Sequence, residues 1–69
     1  MIKRNLLEAR MKEKEVNYRD LCNALNLCYQ SLWKRMSGKL EFKLSEVVVI
    51  KNFLNLTAEQ TDDIFLKEN

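Results

Sequence analysis

The sequence predicts an all-α domain of five short helices, and three observations support that prediction. The chain has 69 residues, which is enough for one domain with one modest core. It contains one Gly and no Pro, so it lacks the turn residues that an all-β fold requires. Hydrophobic residues make up 46% of the chain, which is too many for a disordered tail. We therefore expect residues 1–69 to form one domain of helices joined by short turns.

Boundary signals indicate where the helices begin and end. The expected ranges are 3–14, 18–25, 28–37, 44–55 and a short fifth helix after Thr57. Asn17 and Asp20 stand three residues apart and predict a capping box at the start of the second helix. Asn26 adopts left-handed backbone readily, so it should end that helix in a tight turn. Gly38 should end the third helix in the same conformation.

Apolar residues recur at helical spacing and define the expected core. Two pairs lie one turn apart, Leu7 with Met11 and Leu32 with Met36. The fourth helix is apolar on more than one side, so we expect it to be the central buried helix. Its apolar residues are Val47, Val48, Ile50, Phe53 and Leu54. Thr57 with Gln60 predicts a second capping box, and Ile64 with Phe65 should close over the core.

Charge is distributed unevenly along the chain. Residues 1–51 contain 11 Lys and Arg against 6 Asp and Glu, whereas residues 52–69 contain 1 against 4. A basic body therefore precedes an acidic tail. A basic body suits a polyanionic partner, although solvated helices with no special function carry similar charge.

Several classes of function are disfavoured by what the sequence lacks. There is no run of about 20 apolar residues to cross a bilayer, so we expect no membrane partner and a cytoplasmic location. With no His and only two cysteines, Cys22 and Cys28, the chain cannot complete a four-ligand zinc site, so we expect no metal or other cofactor. Both thiols should be structural, with redox sensing by Cys28 as the alternative. No glycine-rich phosphate loop or converging carboxylates indicate catalysis, so we expect a protein that is not an enzyme.

The second and third predicted helices form the arrangement on which the functional prediction depends. Two helices joined by a short turn, with polar and basic groups at the start of the second, are used to contact the major groove of DNA. In NYRDLCNALNLCYQSLWKRMSGK, small Cys22 falls where the helices cross and Asn26 falls at the turn. The buried positions are Leu21, Leu25, Leu27 and Leu32. This segment resembles the lambda repressor and Cro-like helix-turn-helix proteins, also called the XRE family, and the resemblance extends over nearly the whole chain.

The resemblance is closest to small phage and prophage regulators of Gram-positive bacteria, in the segments SLWKRMSGKLEF, LSEVVVIKNFLNLT and DDIFL. It implies a lambda-repressor-like domain that inserts helix 28–37 into the major groove of a double-stranded DNA operator. It also implies base contacts by Tyr29, Gln30 and Lys34. The implied phosphate contacts are Asn17, Tyr18, Arg35, Lys39 and Lys43.

The chain departs from the family pattern at a few positions. Cys28 replaces the Ser or Thr that usually caps the recognition helix, and it is a weaker acceptor. Arg35 stands where many members have an apolar or aromatic residue, so either it points to phosphate or the helix is slightly rotated. Met11 and Met36 replace a buried Arg and Glu pair, and we predict that they contact each other because an apolar pair avoids the desolvation cost of the charges. Trp33 either stacks on bases or at an interface, or covers the edge of the core.

Three functional hypotheses follow from these residues. The first is a Cro-like transcriptional regulator that binds its operator as a homodimer, with half-sites about one helical turn apart. Its dimer contact is expected in the C-terminal half, where the apolar residues of 53–65 either form the contact or complete the monomer's own core. The second is a protein-interaction module of the same fold that binds a partner phage repressor without contacting the operator, in which Tyr29, Gln30 and Lys34 bind protein or nothing. The third is the antitoxin of a toxin and antitoxin pair.

Overall fold

Five α-helices follow one another in a computed structural model that describes residues 2–66. In chain order, α1 to α5 are Arg4–Glu13, Tyr18–Leu25, Tyr29–Met36, Leu44–Phe53 and Ala58–Thr61, and a π-helical turn, Asp62–Leu66, follows α5. No strand occurs within residues 2–66, which confirms the all-α prediction. The same residues include no helix with the length and apolar composition to span a membrane.

The predicted capping boxes are present at the start of α2 and of α5. Asn17 Oδ1 accepts the backbone N–H of Asp20 at 2.8 Å, and the Asp20 carboxylate accepts the N–H of Asn17 at 3.1 Å. Thr57 Oγ1 and Gln60 Oε1 make the equivalent pair of bonds, each at 3.0 Å. Each box satisfies two backbone donors that would otherwise lack a partner at a helix start.

The core lies where α1, α2 and α3 meet α4 and the π-helical turn. Its buried residues are Leu7, Met11, Leu21, Cys22, Leu32, Met36, Ile50, Leu54, Leu56 and Ile64. Met11 and Met36 are only 3% and 1% exposed and belong to this one cluster, while a direct contact between them stays a prediction. Phe42 closes the loop after α3 by an edge-to-face contact with Phe65, with ring centroids 5.4 Å apart.

Helix α4 is buried on one side only, so the expectation of a central buried helix is wrong. Val47 and Ile50 point into the protein at 6% and 0% exposure. Four other apolar residues of α4 are exposed, namely Leu44, Val48, Val49 and Phe53. The reason is the size of the chain: α4 packs on α2 and α5, and the described residues form no further layer to cover its outer side.

The C-terminal apolar residues mostly complete the monomer's own core. Leu54, Leu56 and Ile64 are between 0% and 7% exposed, which leaves Phe53, at 44%, as the exposed large hydrophobic residue of this region. Of the two alternatives for residues 53–65, the structure therefore favours the internal one. An apolar contact with another chain would find more exposed surface on α4 than on residues 54–65.

Candidate nucleic-acid interface

Helices α2 and α3 are separated by only three residues, 26–28. Asn26 has φ 59° and ψ 43°, the left-handed conformation predicted for it. The end of α2 is closed by hydrogen bonds from Asn26 N–H to Asn23 O at 3.3 Å and from Leu27 N–H to Cys22 O at 3.0 Å. This tight turn fixes the direction in which α3 leaves α2.

Helix α3 has a buried face and an exposed face of different chemistry. Leu32 and Met36 are 0% and 1% exposed and face the core. Gln30 and Lys34 lie one turn apart on the opposite side, where both are exposed and neither side chain is held by an internal hydrogen bond to the described residues. Gly38 ends the helix segment with φ 88°, as predicted. An amide and an ammonium group are therefore presented together along the outer side of α3.

Three aromatic rings form a cluster beside this outer side. Tyr29 and Trp33 lie one turn apart on α3 and are 57% and 41% exposed. The ring of Tyr18, on α2, contacts both, with centroid distances of 5.9 Å to Tyr29 and 6.1 Å to Trp33. The guanidinium carbon of Arg4 lies 5.2 Å from the centroid of the Trp33 ring, a cation–π contact. Trp33 thus belongs to the exposed surface of α3, and we call Tyr18, Tyr29 and Trp33 the aromatic cluster.

The hydroxyl group of Tyr18 is occupied within the protein. It donates a hydrogen bond to the carboxylate of Glu8, on α1, and the ring itself is partly buried. Burial, followed by this hydrogen bond, raises the pKa of Tyr18 above its usual range. The hydroxyl therefore has no proton left to donate to a phosphate, and the phosphate contact expected of Tyr18 stays a prediction for the backbone N–H groups at the N-terminus of α2.

Arg35 also differs from its expected role as a phosphate contact. Its Nε donates to Glu46 Oε1 at 3.0 Å, both side chains are only 12% exposed, and a second donor bonds Ser31 O at 3.1 Å. Residue 35 lies on the flank of α3 that faces α4, where Glu46 also accepts the N–H of Lys43 at 2.9 Å. The guanidinium therefore ties α3 to the start of α4.

The other expected phosphate contacts are exposed. Asn17 stands at the N-terminus of α2, Lys39 follows α3, and Lys43 stands at the N-terminus of α4. The side-chain oxygen of Asn17 is used by the capping box, while the amino groups of Lys39 and Lys43 form no ion pair with the described residues. The two amino groups therefore remain available to a partner at the surface, whereas Asn17 can offer only its side-chain N–H groups.

Three charged residues near α3 were missed from the expected site. Arg4 and Glu8 lie on α1 and contact Trp33 and Tyr18, respectively. Arg19, on α2, is exposed and lines a surface pocket that Tyr29 also lines. The contacts of Arg4 and Glu8 depend on how α1 crosses the other helices, so the sequence holds no local signal for them. Arg19, by contrast, stands two residues after the predicted N-cap Asn17, and this position could have indicated from the sequence that it lies near the expected phosphate contacts.

Cys28 stands at the N-cap of α3, and its side chain makes no capping hydrogen bond to the backbone, in agreement with its expected weakness as a cap. Its Sγ instead lies 3.3 Å from Ser31 Oγ. Hydrogen bonding to Ser31 lowers the pKa of the exposed Cys28 thiol, whereas burial raises the pKa of Cys22. Within residues 2–66, no group of three or more Cys, Asp or Glu side chains is placed to hold a metal ion.

Comparisons with protein-family models, with curated proteins and with solved structures found no match to this chain. The resemblance to the lambda repressor and Cro-like proteins therefore stays a prediction from the residues. What bears on function is the geometry of α2 and α3 and the chemistry of the side chains that they expose.

Proposed function

We propose that this protein is a sequence-specific DNA-binding transcriptional regulator similar to the small phage Cro-like proteins, with α2 and α3 as its helix-turn-helix. One observation supports this above the others: Gln30 and Lys34 lie together on the exposed side of α3, opposite Leu32 and Met36. The major groove of DNA is about 12 Å wide and admits an α-helix. A helix so presented suits insertion into that groove.

The residues on the outer side of α3 match the hydrogen-bonding groups of bases. The Gln30 amide can pair with both N6 and N7 of adenine, and the Lys34 ammonium can donate to O6 and N7 of guanine. Each well-aligned contact discriminates against a wrong base by about 1–3 kcal/mol. Neither side chain forms a hydrogen bond or ion pair with residues 2–66, so neither must break a bond to that part of the chain to contact DNA.

Phosphate groups would be bound around this helix. Asn17 stands at the N-terminus of eight-residue α2, where the helix dipole and the backbone amides that the capping box leaves unused favour an anion. Lys39 and Lys43 supply charge beyond the other end of α3. Arg19 adds a cation beside Tyr29. Arg35 is left out because its guanidinium is paired with Glu46.

The exposed apolar residues of α4 support a protein partner in addition to DNA. In the proposal this partner is a second copy of the chain, because one half-site gives a single α3 few base contacts and two half-sites double them. The second candidate function, binding to a partner repressor, would use the same side of α4. Val48, 47% exposed, is the residue to change: Val48→Glu should convert a dimer to a monomer in sedimentation equilibrium.

The central test is selection of duplexes from a randomised pool, followed by fluorescence anisotropy titrations of the selected and a scrambled duplex. We expect the wild type to prefer the selected duplex and Lys34→Ala to lose roughly 5- to 150-fold of that preference. The matched control is Lys51→Ala, which removes the same charge from α4 and should retain the preference.

The salt dependence separates base contacts from phosphate contacts. Lys43→Ala should weaken binding to all duplexes alike and reduce the slope of log K against log salt by about 1. If no duplex is enriched and binding to every sequence is equally weak, the proposal is wrong. Capture of a repressor by the wild type but not by Val48→Glu would then support the second candidate.

A further inference from the structure

The exposed surface of α3 carries two stripes of side chains, and only one of them is polar. Gln30 and Lys34 form the polar stripe. Tyr29 and Trp33 form a second stripe on the neighbouring flank, with about half of each side chain accessible to solvent. Two large aromatic residues this exposed, next to groups suited to hydrogen bonding, indicate an apolar contact made by the same surface.

The aromatic stripe is held in place before any partner binds. Tyr18 packs against both of its rings, and the Tyr18 hydroxyl is anchored on Glu8. The guanidinium of Arg4 covers one side of Trp33. Side chains whose rotamers are already restricted lose less entropy on binding, so even a small apolar group can be recognised by them.

The charge around the stripe points to an anionic partner. Arg4 lies against Trp33, and Arg19 shares a surface pocket with Tyr29. The carboxylate of Glu8, which contacts the cluster, accepts a hydrogen bond from the hydroxyl of Tyr18. An apolar stripe bordered by two guanidinium groups suits a polyanion that also exposes small apolar groups. Because the polar stripe lies beside it, the surface suits an acidic lipid or an acidic protein less well.

We propose that Tyr29 and Trp33 contact the 5-methyl groups of thymines in the major groove, beside the bases that Gln30 and Lys34 contact. The 5-methyl group is the apolar group that a standard base pair exposes in that groove, and it is the group that aromatic and aliphatic side chains meet there. The inference rests on the proposed function and names a further part of the sequence that the protein recognises. The operator half-site should contain thymines whose methyl groups add affinity.

The test uses the wild-type full chain and DNA that lacks single methyl groups. Each thymine of a selected duplex is replaced in turn by deoxyuridine, which keeps every hydrogen-bonding group and removes the methyl. We expect one or two positions to weaken binding about fourfold each, the equivalent of roughly 0.8 kcal/mol for one buried methyl group. Anisotropy titrations at constant salt measure the change.

Three variants assign the effect to side chains. Tyr29→Ala and Trp33→Ala should each lose the sensitivity to deoxyuridine at one position, whereas Gln30→Ala should bind more weakly and keep that sensitivity. Far-ultraviolet circular dichroism checks that each variant is folded. Sensitivity that persists in both aromatic variants would come from DNA shape and would overturn the inference.

Failure of this inference is distinguishable from failure of the proposed function. If a duplex is selected over scrambled DNA but deoxyuridine at every thymine leaves its affinity unchanged, the protein recognises DNA without methyl contacts and only the inference is wrong. If no duplex is selected, the proposed function is wrong and the inference with it.

Discussion

Replacing Arg35 with Met separates a structural role of this residue from a DNA contact. The substitution keeps an unbranched chain as far as the position of Nε, and it removes the ion pair with Glu46 and the bond to the Ser31 carbonyl. An exposed ion pair contributes about 0–1 kcal/mol, and losing one partner of a fully buried pair costs about 3–5 kcal/mol. Both side chains here are 12% exposed, so a cost of about 2–3 kcal/mol is expected.

That cost is large for this chain. A domain of 69 residues has a total stability on the order of 3–10 kcal/mol, and each kcal/mol shifts Tm by about 4–8 °C. Arg35→Met should therefore lower Tm by roughly 10–20 °C. Urea unfolding followed by circular dichroism measures the change in free energy of unfolding.

A double-mutant cycle assigns the loss to the pair. Glu46→Gln retains an oxygen that can accept the N–H of Lys43, so it removes the charge and leaves the cap of α4. The double variant Arg35→Met with Glu46→Gln should be less destabilised than the two single effects added together, by about 1–2 kcal/mol. The control is the salt slope of DNA binding, which Arg35→Met should leave unchanged. A slope reduced by about 1, with a stability loss below about 0.5 kcal/mol, would refute the structural role and restore the phosphate contact.

Three further predictions concern the turn, the aromatic cluster and the thiols. Because residue 26 has a positive φ, Asn26→Ala should lower the free energy of unfolding in urea by about 1 kcal/mol, and Asn26→Gly should lower it less. Equal losses would show that the left-handed backbone is not the reason. The folded state holds the Tyr18 proton more tightly than the unfolded chain does, so the free energy of unfolding should fall as the pH rises above about 10. If a Tyr18→Phe variant shows the same pH dependence, titration of Tyr18 is not the cause. Cys28 should react with a thiol reagent in the folded protein and Cys22 only on unfolding, and rapid labelling of both would show that Cys22 is accessible.

Features that depend on residues close together in the chain were predictable. A capping box joins residues three apart, so Asn17 with Asp20 could be identified from letters alone. The left-handed turn at Asn26 and the helix end at Gly38 depend on the intrinsic backbone preference of one residue each. The exposed side of α3 followed from Leu32 and its helical spacing. In each case the physical cause lies within one or two helical turns.

Features that depend on the angles between helices were not predictable. Tyr18 meets Glu8 ten residues away, and Arg35 meets Glu46 eleven residues away, each in a different helix. The same holds for the outer side of α4, since an apolar residue such as Val48 is buried only if another element covers it, and hydropathy does not say whether one does. These three features were missed for one reason: charge and hydropathy state which environment a side chain prefers and not which neighbour it will have.

The flanks of α3 explain how a helix with a weak N-cap can still present a defined outer side. The Cys28 thiol makes no capping hydrogen bond of normal geometry and is a weak acceptor, so the start of α3 is only weakly capped. The aromatic cluster ties one flank to α1 and α2, and Arg35 ties the other flank to Glu46 on α4. Leu32 anchors the face between them in the core. With three sides held, rotation of α3 about its axis would break contacts on each, so the fourth side of the helix, which carries Gln30 and Lys34, faces a fixed direction without the cap.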